Sequence, residues 1–368
     1  MSKLTYIWGA GASAGTFNDQ RERLTGVPVV SHLKEALDVE IAKLNEFISN
    51  PFEDFNPGEW KLTKEQCDEL LAALKRLREM MDKSDTIDHY AKQLLMENRV
   101  DVTCGVDYNQ PYKYCKRLLA IFLLLIQDRD RYDLRYDTFI TEVFNEKHEQ
   151  PKLTILSWNY DAQFEFAWAK YARSRYILDI WDEINVYNKT CGTNYDGSKP
   201  FALVKLNGTA FFRDHMRETS EYKARYTVPD FFYGGYDKKE KYEFLHKLLT
   251  AFYEESTLSY AWDNMGNDLI EAVKERVKDT EELIVVGYSY PKFNKDIDKQ
   301  ILEAMPHLKH VVIQDRAEKA CQEIEKHIRT LIDSKNISYE YDTNVSRFHV
   351  PYGYDGYAKE ELVMPKYR

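Results

Sequence analysis

The sequence predicts an α/β fold, a Rossmann-like parallel sheet with helices on both faces plus an inserted helical module. Three observations lead there. Short apolar runs at 4–8, 153–158, 201–206, 283–286 and 310–313 mostly end in a glycine or a polar turn. From residue 150 onward these runs alternate with helical periodicity. Residues 32–150, between the first two runs, show helical spacing and no strand-like stretch. Apolar runs of this kind suit parallel strands buried on both faces. Right-handed crossovers then distribute the connecting helices over the two sides of the sheet.

Taken in order, Leu4-Thr5-Tyr6-Ile7-Trp8 reads as a buried strand feeding a tight turn at Gly9-Ala10-Gly11-Ala12-Ser13. Leu33, Leu37, Ile41, Leu44 and Ile48 recur at three- and four-residue spacing, so 32–49 is a helix, stopped by Asn50-Pro51. Residues 50–60 read as a loop. Thr63 is the expected N-cap of a helix over 63–83, and 86–97, 111–127 and 136–145 are further helices. A second strand at 153–158 precedes a helix over 161–171, and a third at 201–206 ends in Asn207-Gly208. Residues 212–240, rich in Tyr, Phe and charge, read as a surface lobe, followed by helices at 241–255 and 266–278. The strand at 283–286 ends in Gly287; a helix at 295–305, the strand at 310–313 and a helix at 317–334 complete the pattern. The expected division is a core of 1–31 and 150–335, a helical cap or assembly module at 32–149, and a tail at 336–368 packed on the core.

Composition narrows the class. Of 368 residues, 43% are hydrophobic and 30% charged, which excludes a wholly disordered chain. With 51 Lys and Arg against 61 Asp and Glu, the net charge of −10 argues against gripping nucleic acid by bulk charge, and no direct sequence-specific nucleic-acid binding is expected. The longest apolar run, 118–126, is far shorter than the roughly 20 residues that span a bilayer. The stretch from Met1 to Tyr6 lacks an apolar signal segment, so a cytoplasmic protein with no membrane contact is expected. Cys67, Cys104, Cys115, Cys191 and Cys321 are dispersed without a C-x-x-C pair, which fits free thiols and predicts no metal site.

Four motifs fall at the carboxyl ends of the predicted strands, where open α/β sheets place ligands. The first is Gly9, Ala10, Gly11, Ala12 and Ser13, whose small residues let backbone N–H groups approach a pyrophosphate; a ligand-free tight turn is the plainer reading. It lacks the Lys of a phosphate-binding P-loop. The second is Asn159-Tyr160-Asp161, suited to ribose hydroxyls, a carboxamide or a water, with Asp161 otherwise an N-cap. The third, Lys205-Leu206-Asn207-Gly208-Thr209, offers Asn207 and Thr209 as hydrogen-bonding groups, or is a simple turn. The fourth contains Gly287, Tyr288 and Ser289, with Asp315 after the next strand; these suit a phosphate or ribose, or serve as ordinary turn residues.

Together and in this order, the motifs resemble the sirtuin-like superfamily of NAD-consuming proteins. That family's Gly-Ala-Gly-x-Ser turn matches 9–13, its Asn-x-Asp element 159–161, its Gly-Tyr-Ser-x-Pro element 287–291, and its Lys-Leu-His-Gly-Ser element 205–209 with two changes. The resemblance covers 1–20 and 150–330, but neither the helical module nor the tail. Within the superfamily it points to the bacterial anti-phage proteins that hydrolyse NAD to nicotinamide and ADP-ribose. It implies NAD as substrate, no metal, and control by assembly as a homo-oligomer, by a partner defence protein such as an ATPase, or by both. It also implies that Asn159 orients the attacking water or the ribose, that Asp161 holds the carboxamide or faces the developing positive charge, and that Asn207 fixes a ribose hydroxyl.

Two departures matter. The four-Cys zinc module of protein deacetylases is missing, so deacetylation is not expected. Asn207 stands where the family carries His, which opens a second reading: a catalytically weakened NAD- or ADP-ribose-binding sensor or scaffold subunit. His215 is a substitute base only if it is not a solvated surface residue, the plainer reading; His32, His148 and His349 read as structural or solvated.

Overall fold

A computed structural model describes residues 3–16, 23–49, 62–97, 110–127, 131–144, 152–172, 177–188, 190, 193–214, 226–227, 238–251, 254–260, 262–263, 267–332 and 336–351. The first strand is β1 (Leu4–Trp8). Five helices follow it: α1 (Leu33–Ser49), α2 (Lys64–Met81), α3 (Ile87–Glu97), α4 (Gln110–Ile126) and α5 (Arg135–Val143). Then come β2 (Leu153–Ser157), α6 (Gln163–Trp168), α7 (Ile177–Glu183), β3 (Val186–Tyr187), β4 (Ala202–Lys205), β5 (Gly208–Asp214), β6 (Tyr226–Thr227), α8 (Lys238–Thr250) and β7 (Glu254–Leu258). The remainder is α9 (Asn267–Val277), β8 (Glu282–Val286), α10 (Lys295–Glu303), β9 (His310–Gln314), α11 (Glu318–Leu331) and β10 (Ser338–Asp342).

Seven strands form one parallel sheet in the order β10-β9-β8-β1-β2-β4-β3, the α/β architecture read from the sequence. β1 lies at its centre, with Leu4 opposite Leu153 on one side and Glu282 on the other. From β1 the chain passes to β2, crosses to the edge strand β3 and steps back to β4 between them, then returns to wind the other way through β8, β9 and β10. The direction reverses between β1 and β8, so the loops leaving these two strands border the crevice where such sheets bind ligands.

Side-chain alternation sorts the core into two layers. Tyr6, Trp8, Ile155, Leu203, Ile284 and Val312 face a cluster that continues without a break into α1, α2, α4, α5 and α6. Ile7, Leu156, Val204, Leu283, Val285, Val311 and Ile313 face the layer of α9, α10 and α11. Thr63 caps α2 as its position suggests: its side chain accepts from the Gln66 N–H, and the Gln66 side chain accepts from the Thr63 N–H.

The structure corrects several expectations from the sequence. A second sheet, β6-β5-β7, is antiparallel and was not expected. The helix expected to reach residue 255 stops at Thr250, because Glu254–Leu258 pairs with β5. Gly208 and Thr209 begin that strand rather than closing a turn. α7 and the two-residue β3 were also missed, and the stretch beyond 335 contains the edge strand β10. The expected loop at 50–60, His148, His215, Cys104, Cys191 and the tail beyond 351 lie outside the described residues.

Trp8 anchors an aromatic floor under the sheet's carboxyl edge. Tyr136, Phe139, Phe164 and Phe348 lie with ring centroids 5.2–5.5 Å from it. Phe348 comes from the segment after β10 and is 1% exposed. That segment is also held by Gln314 Oε1, which accepts from the His349 N–H, and by Tyr6 Oη, which donates to the His349 carbonyl. No helix among the described residues is long and apolar enough to cross a membrane. Truncating Phe348 to alanine empties a site in the middle of these rings. The expected loss is about 3–5 kcal/mol of unfolding free energy in a urea titration followed by tryptophan fluorescence.

Candidate functional site

A cavity of about 640 Å³ opens at the carboxyl edge of the sheet. Its wall includes Gly9, Ala10, Gly11, Ser13, Asn159, Asp161, Asn207, Gly287, Tyr288, Ser289 and Asp315, so loops after β1, β2, β4, β8 and β9 meet there. Two residues singled out in the sequence are not part of the wall. Ala12 is fully buried beneath the turn. Thr209 is also fully buried, with its hydroxyl accepting from Asn188 Nδ2 and its carbonyl from the Thr257 hydroxyl, because it belongs to β5.

The turns after β1 and β8 touch backbone to backbone. The Gly11 N–H donates to the Gly287 carbonyl at 3.1 Å, and the Gly9 N–H to Val286 at 3.0 Å. A Cβ on Gly287 would lie 2.4 Å from the Gly11 Cα, and its φ of +56° is a left-handed value. The glycines therefore serve this contact. The N–H groups of Gly9, Gly11, Ala12 and Ala14 are all committed to backbone carbonyls, so the turn offers a ligand close approach rather than a row of free donors. Its carbonyls are held from α5, where the Arg135 guanidinium donates to Gly11 and Ala12 and pairs with buried Asp133.

Ser13 is the hub of the polar side chains. Its hydroxyl donates to Asp161 Oδ1 at 3.0 Å and accepts from Asn159 Nδ2 at 3.1 Å. The Tyr136 hydroxyl, 2.9 Å away, is left to donate to the same oxygen. Asp161 Oδ1 also accepts from the Gln163 N–H at 3.1 Å, so the carboxylate stabilises the start of α6 as well as facing the cavity. Burial pushes the Asp161 carboxyl up from its ordinary value, while nearby Lys205 pulls it back.

Lys205 lies behind the cavity. Its ammonium donates to the Asp161 carbonyl and pairs with Glu165 at 3.3 Å, with both side chains buried. This motif residue therefore supports the Asn159-Tyr160-Asp161 turn from below. Asn207 is fixed through Nδ2, which donates to the Trp158 carbonyl at 2.8 Å, and its buried Oδ1 has no partner among the described residues. Asn159 Oδ1 likewise has no hydrogen-bond partner among the described residues. Both residues line the cavity, and an amide oxygen left over in this way suits a hydroxyl donor, water or positive charge. Tyr288 stacks on Trp158 at 5.6 Å and donates to buried Asp298, which anchors the fourth turn on the far layer.

Sequence reasoning missed the contribution of the helical segment. Asp85, Thr86, Ile87 and Asp88 line the cavity, as do Arg135 and His32, the last of which had read as structural or solvated. Asp88 shares the buried face of α3 with Ala91, and a carboxylate on such a face was the one available signal. Among the described residues, no three or more His, Cys, Asp or Glu side chains gather as a metal site.

Replacing Ser13 by alanine leaves Asn159, Asp161 and Tyr136 each short of a buried partner. Stability should fall by about 1–3 kcal/mol for each group left unsatisfied, read as a lower urea midpoint with an unchanged slope. A scan for protein families finds no match to this chain, and a search of curated proteins finds none.

Proposed function

We propose that the protein is an NAD glycohydrolase, cleaving NAD to nicotinamide and ADP-ribose. The supporting observation is the convergence of Ser13, Asn159, Asn207 and Ser289 on one cavity at the reversal point of a parallel sheet. Its volume lies within the roughly 300–1,000 Å³ of small-molecule and cofactor sites. The amide oxygens of Asn207 and Asn159, without partners among the described residues, suit ribose hydroxyls and the water that attacks C1′. As nicotinamide leaves, positive charge builds on the ribose, and oriented oxygen dipoles in a water-poor pocket stabilise it. In this reading Asn159 holds the water, Asn207 a ribose hydroxyl, and Asp161 keeps Ser13 and the turn in place. Asp315, at the end of β9, is the acceptor for the second ribose.

An enzyme that destroys NAD has to be held off until needed. The sirtuin-like resemblance supports an anti-phage effector controlled by self-assembly or by a partner protein. One observation favours the second reading, a sensor that binds without turnover: the Asn207 amide takes up no proton. Product analysis after incubation with NAD separates the two. The expected outcome is nicotinamide and ADP-ribose in equal amounts from the wild type, and a loss of at least about 10²-fold in kcat for Asn159→Ala. Intact NAD alongside calorimetric binding of ADP-ribose would favour the sensor.

A further inference from the structure

The helical segment brings to the cavity a carboxyl that no cation balances among the described residues. Asp88 stands in the first turn of α3 and is 5% exposed. It is not the helix cap, since the His89 N–H is taken by the Thr86 hydroxyl. Its Oδ1 accepts from the Tyr160 hydroxyl at 2.8 Å, and among the described residues no cation pairs with it. Other buried carboxyls have evident work. Asp133 holds Arg135, Glu165 holds Lys205 and Asp161 holds Ser13; Asp298 resembles Asp88 in receiving a tyrosine hydroxyl, from Tyr288, but does not line the cavity. Leaving a carboxyl buried without a counter-charge is costly, which marks Asp88 as a functional group. Tyr160 lies between Asn159 and Asp161, so this one bond ties α3 to the turn that carries the candidate site residues.

We propose that Asp88 is the proton acceptor of the hydrolysis, taking the part that the amide of Asn207 cannot; the proposal rests on the NAD glycohydrolase reading. In the step, the bond from C1′ to the nicotinamide nitrogen breaks and its electron pair leaves with nicotinamide. The water oxygen bonds to C1′, and the water's proton passes to the Asp88 carboxylate and then to solvent. The products are nicotinamide, ADP-ribose and one proton.

The surroundings of Asp88 suit this role. Burial pushes its carboxyl up to about 6, while the bond from Tyr160 works in the opposite direction. Tyr160 itself, Tyr260 after β7 and Cys115 on α4 face it, and burial raises all three, so they stay neutral near pH 7. Farther out, Asp263 pairs with Lys116 and accepts from Tyr112. Asp85 and Lys92 flank Asp88 on its own segment, Lys92 lying over the Trp262 ring. A base that gains its charge near pH 6 is well matched to neutral working conditions.

The test is the pH profile of nicotinamide release by the full chain and by Asp88→Asn, Asp88→Glu and Tyr160→Phe. Wild-type kcat should fall below about pH 6, as Asp88 protonates. Asp88→Asn should lose about 10²–10⁴-fold in kcat while calorimetry still detects ADP-ribose binding, and Asp88→Glu should recover part of the loss. Tyr160→Phe should move the acid limb to higher pH, because the carboxylate loses a donor that stabilises it. An active Asp88→Asn with the wild-type profile, or a Tyr160→Phe limb that does not move, would overturn the assignment of the base alone. A wild type that leaves NAD intact overturns the hydrolase reading, and the base with it. If Asp88→Asn fails to fold, the Tyr160→Phe limb decides.

Discussion

The contact between two glycine turns is the constraint on which the site depends. The loops after β1 and β8 leave adjacent strands of a sheet whose winding reverses between them. Here they are joined through Gly11 N–H and the Gly287 carbonyl, with no room for a Cβ on either glycine. That junction places Ser13 beside the turn after β2, and the polar network forms from there. Arg135 holds the same turn from the other side through the Gly11 and Ala12 carbonyls. The glycines of the first motif thus act mainly on the protein's own backbone.

Holding and presenting are divided among different side chains. Lys205, Glu165, Asp133 and Arg135 form buried ion pairs that fix the backbone of the turns. Such pairs gain little net stability but are costly to break singly, so they favour one geometry over others. Asn159 and Asn207 each anchor themselves through Nδ2 and leave the amide oxygen without a partner among the described residues. Asp161 does both, accepting from the Gln163 N–H ahead of α6 and facing the cavity, although the N-cap position itself is Ala162 and not Asp161 as the sequence suggested.

Much of the sheet was legible because parallel strands buried on both faces leave unbroken apolar runs. β1, β2, β4, β8 and β9 all carry that signature. β7 does not. Glu254-Glu255-Ser256-Thr257 is polar, follows a helix directly and reads as its continuation; only pairing with β5 defines it. β3 is two residues long, too short for any periodicity. Residues at strand ends were legible as candidates because each follows a readable strand. Asp88, Arg135 and Tyr136 were not, because helical spacing indicates which face is buried but not what that face meets. Their partners Tyr160, Gly11 and Ser13 are remote in the chain.

The aromatic floor has a consequence for how the molecule is made. Tyr6 and His349, joined by a hydrogen bond, are 343 residues apart, and Phe348 completes the ring cluster around Trp8. The central strand is therefore translated 343 residues before the segment that completes its packing. Closures over such distances are slow, and a waiting strand with bare apolar faces is prone to aggregation. Chaperone capture during synthesis would serve this protein best over that interval.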